Sequence, residues 1–176
     1  MFSPATKSFP HGIHPPECKD ETRGEAIRRF PFAPVMIIPL SQHFGAPARP
    51  IVREGEEVVR GQKIAEADGY VSVPVHAPAS GTIKRIGLAP CADGKMKLSI
   101  YLKPFPGSSQ TVDEVVPCDV DSATPDEIIN AVQNAGIVGL GGAAFPTHVK
   151  LKIPEGKSVD TVIINGVECE PYLTTD

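Results

Sequence analysis

From residue 35 to residue 102 the apolar residues come in segments of four to six, each closed by Gly, Pro or Asp. Segments this short suit strands and turns, because a helix needs about ten residues of 3.6-residue periodicity. The chain as a whole carries 19 Pro and 16 Gly, which again means short elements and many turns. Gly55 and Gly61 flank a short strand around Val58, and the run through Val75, Pro78 and Gly81 ends in a turn followed by a strand at Ile83. The expectation is a small all-β unit of hairpins over residues 35–104, folded as a flattened sandwich.

Composition then narrows the functional classes. With 176 residues, 41% hydrophobic and 22% charged, the chain suits one ordinary domain or two small ones of a soluble globular protein. A net charge of −4 without any Lys/Arg run excludes a nucleic-acid binder, which needs a basic face. The most apolar stretch, residues 32–40, is broken by Pro34 and Pro39 and falls well short of the roughly 20 residues that span a bilayer. The N-terminus lacks the apolar core of a secretory signal, so a cytoplasmic location is expected, with membrane association only through partners. Cys18, Cys91, Cys118 and Cys169 form no Cys-x-x-Cys pair, which gives neither a zinc knuckle nor an iron–sulfur ligand set and is read as reduced structural thiols.

Residues 1–34 show no periodicity and are read as an extended lead-in. His11, His14, Glu17 and Cys18 are metal-ligating types, but Pro15 and Pro16 bar the helix that would gather them on one face, and no metal site is assigned. The histidines at 11, 14, 43, 76 and 148 are read as structural, His148 standing out because it lies inside the loop described next.

A polar connector at residues 106–110 separates the β unit from a segment at 111–176 of different character, in which a strand is expected around 111–116. Thr124, Pro125 and Glu127 form a helix start with its capping box. Ile128, Ile129, Val132 and Ala135 follow at helical spacing, and Gly136 supplies the stop. A β-branched strand is expected over 159–164. The order helix, glycine loop, helix start, strand is α/β, so the overall class is α/β with a small all-β module in front.

The loop reads Gly136-Ile-Val-Gly139-Leu-Gly141-Gly142-Ala-Ala-Phe145-Pro146-Thr147-His148-Val-Lys150. Glycines let a backbone approach a ligand and aim amides at one anion, and phosphate is the natural guest. A helix starting near Pro146 and the Lys150 ammonium would add to that site. The same residues also fit a tight loop that serves only close helix packing. Gly139, Gly141 and Ala144 match a relaxed dinucleotide fingerprint, but that fingerprint follows a strand and here follows a helix. The second motif, Asn165-Gly-Val-Glu168-Cys-Glu170-Pro171-Tyr172, stands at the expected strand end, where its amide and carboxylates suit ribityl hydroxyls or a ring edge.

These segments carry three resemblances. The β unit resembles the biotinyl/lipoyl-type barrel-sandwich domain; where carriers of that family present a modified lysine on an exposed hairpin, this chain has Ala67-Asp-Gly-Tyr-Val71 and no lysine between Lys63 and Lys84. The module is therefore read as structural. The two later motifs, with His-Gly-Ile-His-Pro-Pro-Glu at 11–17 and Pro-Leu-Ser-Gln-His-Phe-Gly-Ala-Pro at 39–47, resemble the RnfC component of the Rnf electron-transport complex over nearly the whole chain. The later motifs are also similar to the flavin-binding subunit of respiratory NADH dehydrogenases.

The resemblance implies that Gly139, Gly141, Gly142 and Lys150 hold the FMN phosphate, and that Asn165, Glu168 and Glu170 line the flavin and nicotinamide pocket. Ala144 stands where the respiratory motif has a glycine, and Gly166-Val167 where it has Ala-Asp. It further implies NADH as a partner, other subunits of a membrane-bound ion-translocating complex, attachment to the inner face of the bacterial membrane, and iron–sulfur clusters bound by cysteine runs absent from this chain. The expectation is thus the front part of a longer electron-transfer flavoprotein, inactive alone and with no side chain acting as acid or base. Two alternatives stand beside it: a related flavin-dependent cobalamin reductase, and a non-catalytic module that docks partners.

Overall fold

The computed structural model describes residues 15–28, 31–107, 111–112, 119–164 and 170–172. The chain divides into two compact units, one comprising residues 30–161 and the other residues 1–29 with 162–176.

The larger unit opens with seven strands: β1 (Met36–Pro39), β2 (Arg49–Pro50), β3 (Glu57–Val58), β4 (Lys63–Glu66), β5 (Val75–His76), β6 (Gly81–Pro90) and β7 (Met96–Pro104). They form an antiparallel sheet in the order β1-β7-β6-β3 and a second in the order β2-β4-β5. Period-two alternation decides which face is buried. On β1, Ile38 points inward while Ile37 is exposed, and Ile38 pairs with Ile100 of β7 while Ile83 of β6 pairs with Leu102. These four meet Val58, Ile64 and Ala65 from the other strands in one core. The Ile83 amide donates to the Glu56 carbonyl (2.8 Å) and the Ala77 amide to the Gln62 carbonyl (2.8 Å), which closes the flattened hairpins. The expected all-β module is present.

Helix α1 (Pro125–Asn134) begins as its sequence dictates. The Glu127 amide donates to Thr124 Oγ1 (3.3 Å) and the Thr124 amide to Glu127 Oε2 (2.7 Å). A short ladder of β8 (Val138–Gly139) with β9 (Phe145–Pro146) follows, then the one-turn α2 (Thr147–Leu151). Lys152, just past α2, ties back to Asp126 of α1 at 2.7 Å, and this bond raises the Lys152 pKa.

The strand expected at 159–164 does not form. Residues 159–164 are irregular and exposed, with Ile163 at 87% and Ile164 at 84% exposure. A strand exists only where a neighbouring backbone takes up its amides and carbonyls, and none of the sheets among the described residues reaches this segment. Of the strand expected at 111–116, residues 111–112 are irregular and 113–116 lie outside the described residues. In the smaller unit the Tyr172 amide donates to the Glu17 carbonyl at 3.0 Å. Among the described residues no helix is long and apolar enough to cross a membrane.

Candidate functional site

The glycine segment is built as a hairpin hung from the end of α1. Gly136 ends the helix at φ +73°, a conformation that disfavours a Cβ, and an added Cβ would lie 3.0 Å from the Pro74 carbonyl oxygen. The helix end is thereby seated on the β module, where Gln133 Nε2 donates to the Ser72 carbonyl (3.1 Å) and Lys63 Nζ to Asn134 Oδ1 (3.2 Å). His76 sits at the same seam. Partial burial, then the nearby Lys63 charge, hold its pKa below the ordinary value, against a smaller raising effect of the Asn134 backbone hydrogen bond.

Beyond Gly136 the chain runs out through β8, turns over residues 140–144 and returns through β9. The three proposed phosphate glycines differ in what surrounds them. At Gly139 a Cβ would fall 2.6 Å from Lys150 Nζ, so the ammonium occupies the space that a side chain there would fill. At Gly141 and Gly142 a Cβ would meet nothing within 4 Å, and neither backbone is left-handed. Their missing side chains answer no internal need, and they leave the outer backbone of the turn open to close approach. Among the described residues Lys150 has no carboxylate partner, whereas the nearby Lys152 is engaged by Asp126. Two adjacent glycines beside an ammonium without a carboxylate partner among the described residues fit the phosphate end of a flavin nucleotide.

Ala144 reverses the glycine logic. Its φ is +52°, so the one residue of the turn that adopts a left-handed backbone carries a Cβ. Such strain persists only where the surroundings impose it, and here they come from the β module. The Phe44 amide donates to the Ala144 carbonyl (3.1 Å), and the Phe44 and Phe145 rings stack with centroids 5.4 Å apart. His148, 1% exposed, places Nε2 2.7 Å from the Tyr70 carbonyl oxygen. A carbonyl only accepts, so Nε2 carries the hydrogen. Nδ1 is then buried without a partner among the described residues, an omission that costs about 1–3 kcal/mol.

The module's contact surface is itself rigidly built. Gly45 crosses the Val71 carbonyl so closely that a Cβ would lie 1.9 Å from its oxygen, and the Ala46 amide donates to that oxygen at 3.0 Å. Beneath it His43 Nε2 stands 2.9 Å from the Ala46 carbonyl oxygen, to which the Ser72 hydroxyl also donates.

The structure thus brings Gly139 and Lys150 together, with Gly141 and Gly142 at the adjoining turn. Glu170 is exposed and belongs to the smaller unit; Asn165 and Glu168 lie outside the described residues, as do His11 and His14. The helix after the turn has five residues and no side-chain cap, so its dipole adds little and the anion site rests on the turn and Lys150. Phe44 and Tyr70 were not singled out from sequence, since the Tyr70 contact spans 78 residues and long-range docking leaves no periodicity to read. The available signals were an aromatic beside glycine at Phe44-Gly45 and at Gly69-Tyr70.

Comparison with known proteins places the chain in a family. Residues 7–104 match the family model described as the RnfC barrel sandwich hybrid domain, and residues 132–176 match the Nuo51 FMN-binding domain. The chain is 46% identical over 175 residues to the C component of the Na(+)-translocating ferredoxin:NAD(+) oxidoreductase complex of Acetobacterium woodii, covering 96% of this chain and 38% of that protein. It is 42% identical over 173 residues to the C component of the proton-translocating ferredoxin:NAD(+) oxidoreductase complex of Clostridium ljungdahlii (97% and 37% covered). With the C component of the ion-translocating oxidoreductase complex of Haemophilus influenzae the identity is 41% over 170 residues (96% and 26% covered). The chain thus spans well under half the length of these relatives.

Proposed function

We propose a function from one premise: the chain belongs to the RnfC family, whose barrel sandwich hybrid domain its residues 7–104 match. On this reading it forms the front of an electron-transfer subunit of an ion-translocating oxidoreductase complex. It supplies the phosphate end of an FMN site, and the complete protein exchanges electrons between NADH and iron–sulfur centres. The turn carries the proposal: Gly141 and Gly142 lack side chains without an internal reason, beside a Lys150 ammonium lodged against Gly139. The match of residues 132–176 to an FMN-binding domain supports it.

Bound there, FMN would supply the exchange between two-electron and one-electron chemistry. The tasks of this chain are binding and orientation: the turn presents backbone to the phosphate, and Lys150 neutralises part of its charge. Asn165, Glu168 and Glu170 take the flavin and nicotinamide side in this proposal. Residues 35–104 form the structural module and residues 111–176 open the flavin domain. The protein associates with the cytoplasmic face of the membrane through partner subunits, and residues 1–176 alone are inactive.

The test is flavin binding by the full-length protein. Purified protein should carry FMN absorbance, and Lys150→Ala should weaken FMN affinity roughly ten- to a hundredfold, as loss of one charge-assisted hydrogen bond does. A folded full-length protein that takes up no FMN, or an unchanged affinity in the variant, overturns the assignment.

A further inference from the structure

We propose that His148 is a positioning residue: its bond to the Tyr70 carbonyl locks the glycine hairpin onto the barrel-sandwich module and holds the turn in its anion-binding shape. Three fastenings converge within five residues of the hairpin, namely Phe44 on the Ala144 carbonyl, Phe44 on the Phe145 ring, and His148 on Tyr70. The last rests on a buried side chain, with His148 1% exposed. An aliphatic side chain would fill the same space without leaving a buried nitrogen unpaired, so the imidazole, whose Nδ1 has no partner among the described residues, is explained by the direction of its hydrogen bond to Tyr70. Its neighbours give that direction a purpose. His148 lies two residues before Lys150 on α2, and Ala144 is held left-handed at the other end of the same return strand. Releasing His148 frees both the strained turn and the base of the ammonium that lies against Gly139.

The inference rests on the flavin reading for its affinity arm only; the lock itself has a readout that needs no ligand. In the full-length protein, His148→Leu should raise amide hydrogen exchange over residues 138–145 at least tenfold and lower FMN affinity at least tenfold. His148→Gln, which keeps a donor near the Nε2 position, should restore most of both. Exchange unchanged in His148→Leu overturns the lock, and loosened exchange with unaltered affinity overturns its role in holding the anion-binding shape. If the wild-type protein binds no FMN, the flavin reading falls while the exchange measurement still decides the lock. Where His148→Leu fails to fold, His148→Asn, which stays polar but loses the donor at the Nε2 position, should loosen the same amides; unchanged exchange there counts against the proposal.

Discussion

Gly142 and Ala144 sit two residues apart and make opposite demands. A Cβ at Gly142 meets open space on a backbone that is not left-handed, so Gly142→Ala should leave stability within about 0.5 kcal/mol. The same substitution should weaken FMN binding at least tenfold if the turn must lie against phosphate. Ala144 is left-handed, at a cost of roughly 1–2 kcal/mol, and glycine's greater unfolded-chain freedom returns about 0.4–1 kcal/mol of that. Ala144→Gly should therefore stabilise the protein by up to about 1 kcal/mol in chemical denaturation. A loss of stability would show that the Cβ makes a compensating contact. Sequence made the glycine cluster visible but not this inversion, because spacing says where glycines are and not which of them the backbone requires.

Among elements, α1 was the most legible. A hydroxyl, a proline and a glutamate at the right offsets are local chemistry, and the capping box forms as expected. Thr124→Ala should cost about 1 kcal/mol, measured by urea unfolding. The cap also has a pH signature. Thr124, through its backbone amide first and its hydroxyl second, holds the Glu127 carboxyl below its ordinary value of 4.5. A depressed carboxylate adds stability above its unfolded value and loses it as pH falls through the folded one. The gap between wild type and Thr124→Ala should thus narrow below about pH 4.5, and a gap constant down to pH 3 would contradict the cap. The segment at 159–164 shows the limit of the same reasoning. Its β-branched residues state a preference for strand, but preference becomes structure only beside a paired neighbour.

Over the larger unit, the two halves recognised separately in sequence meet at one seam, and that seam holds a titratable imidazole. His76 has its pKa lowered below 6.5 by burial and then by Lys63. Above pH 6.5 it is neutral folded or unfolded and contributes no pH dependence. Below 6.5 the unfolded chain takes up the proton first, so stability falls with pH until the folded value is passed. Thermal unfolding should show this decline, and His76→Gln should flatten it; an identical profile in the variant would place the titration elsewhere. The seam was illegible beforehand because its contacts join residues 60 or more apart, as between Ser72 and Gln133. One of those contacts bears on covalent cargo. Carriers of the biotinyl/lipoyl type present a modified lysine on the hairpin that corresponds here to residues 67–71. In this protein the backbone oxygen of Tyr70 is committed to His148. One short hairpin cannot both stand clear for a modifying enzyme and serve as a joint, so placing a carrier lysine here would require undoing the joint first.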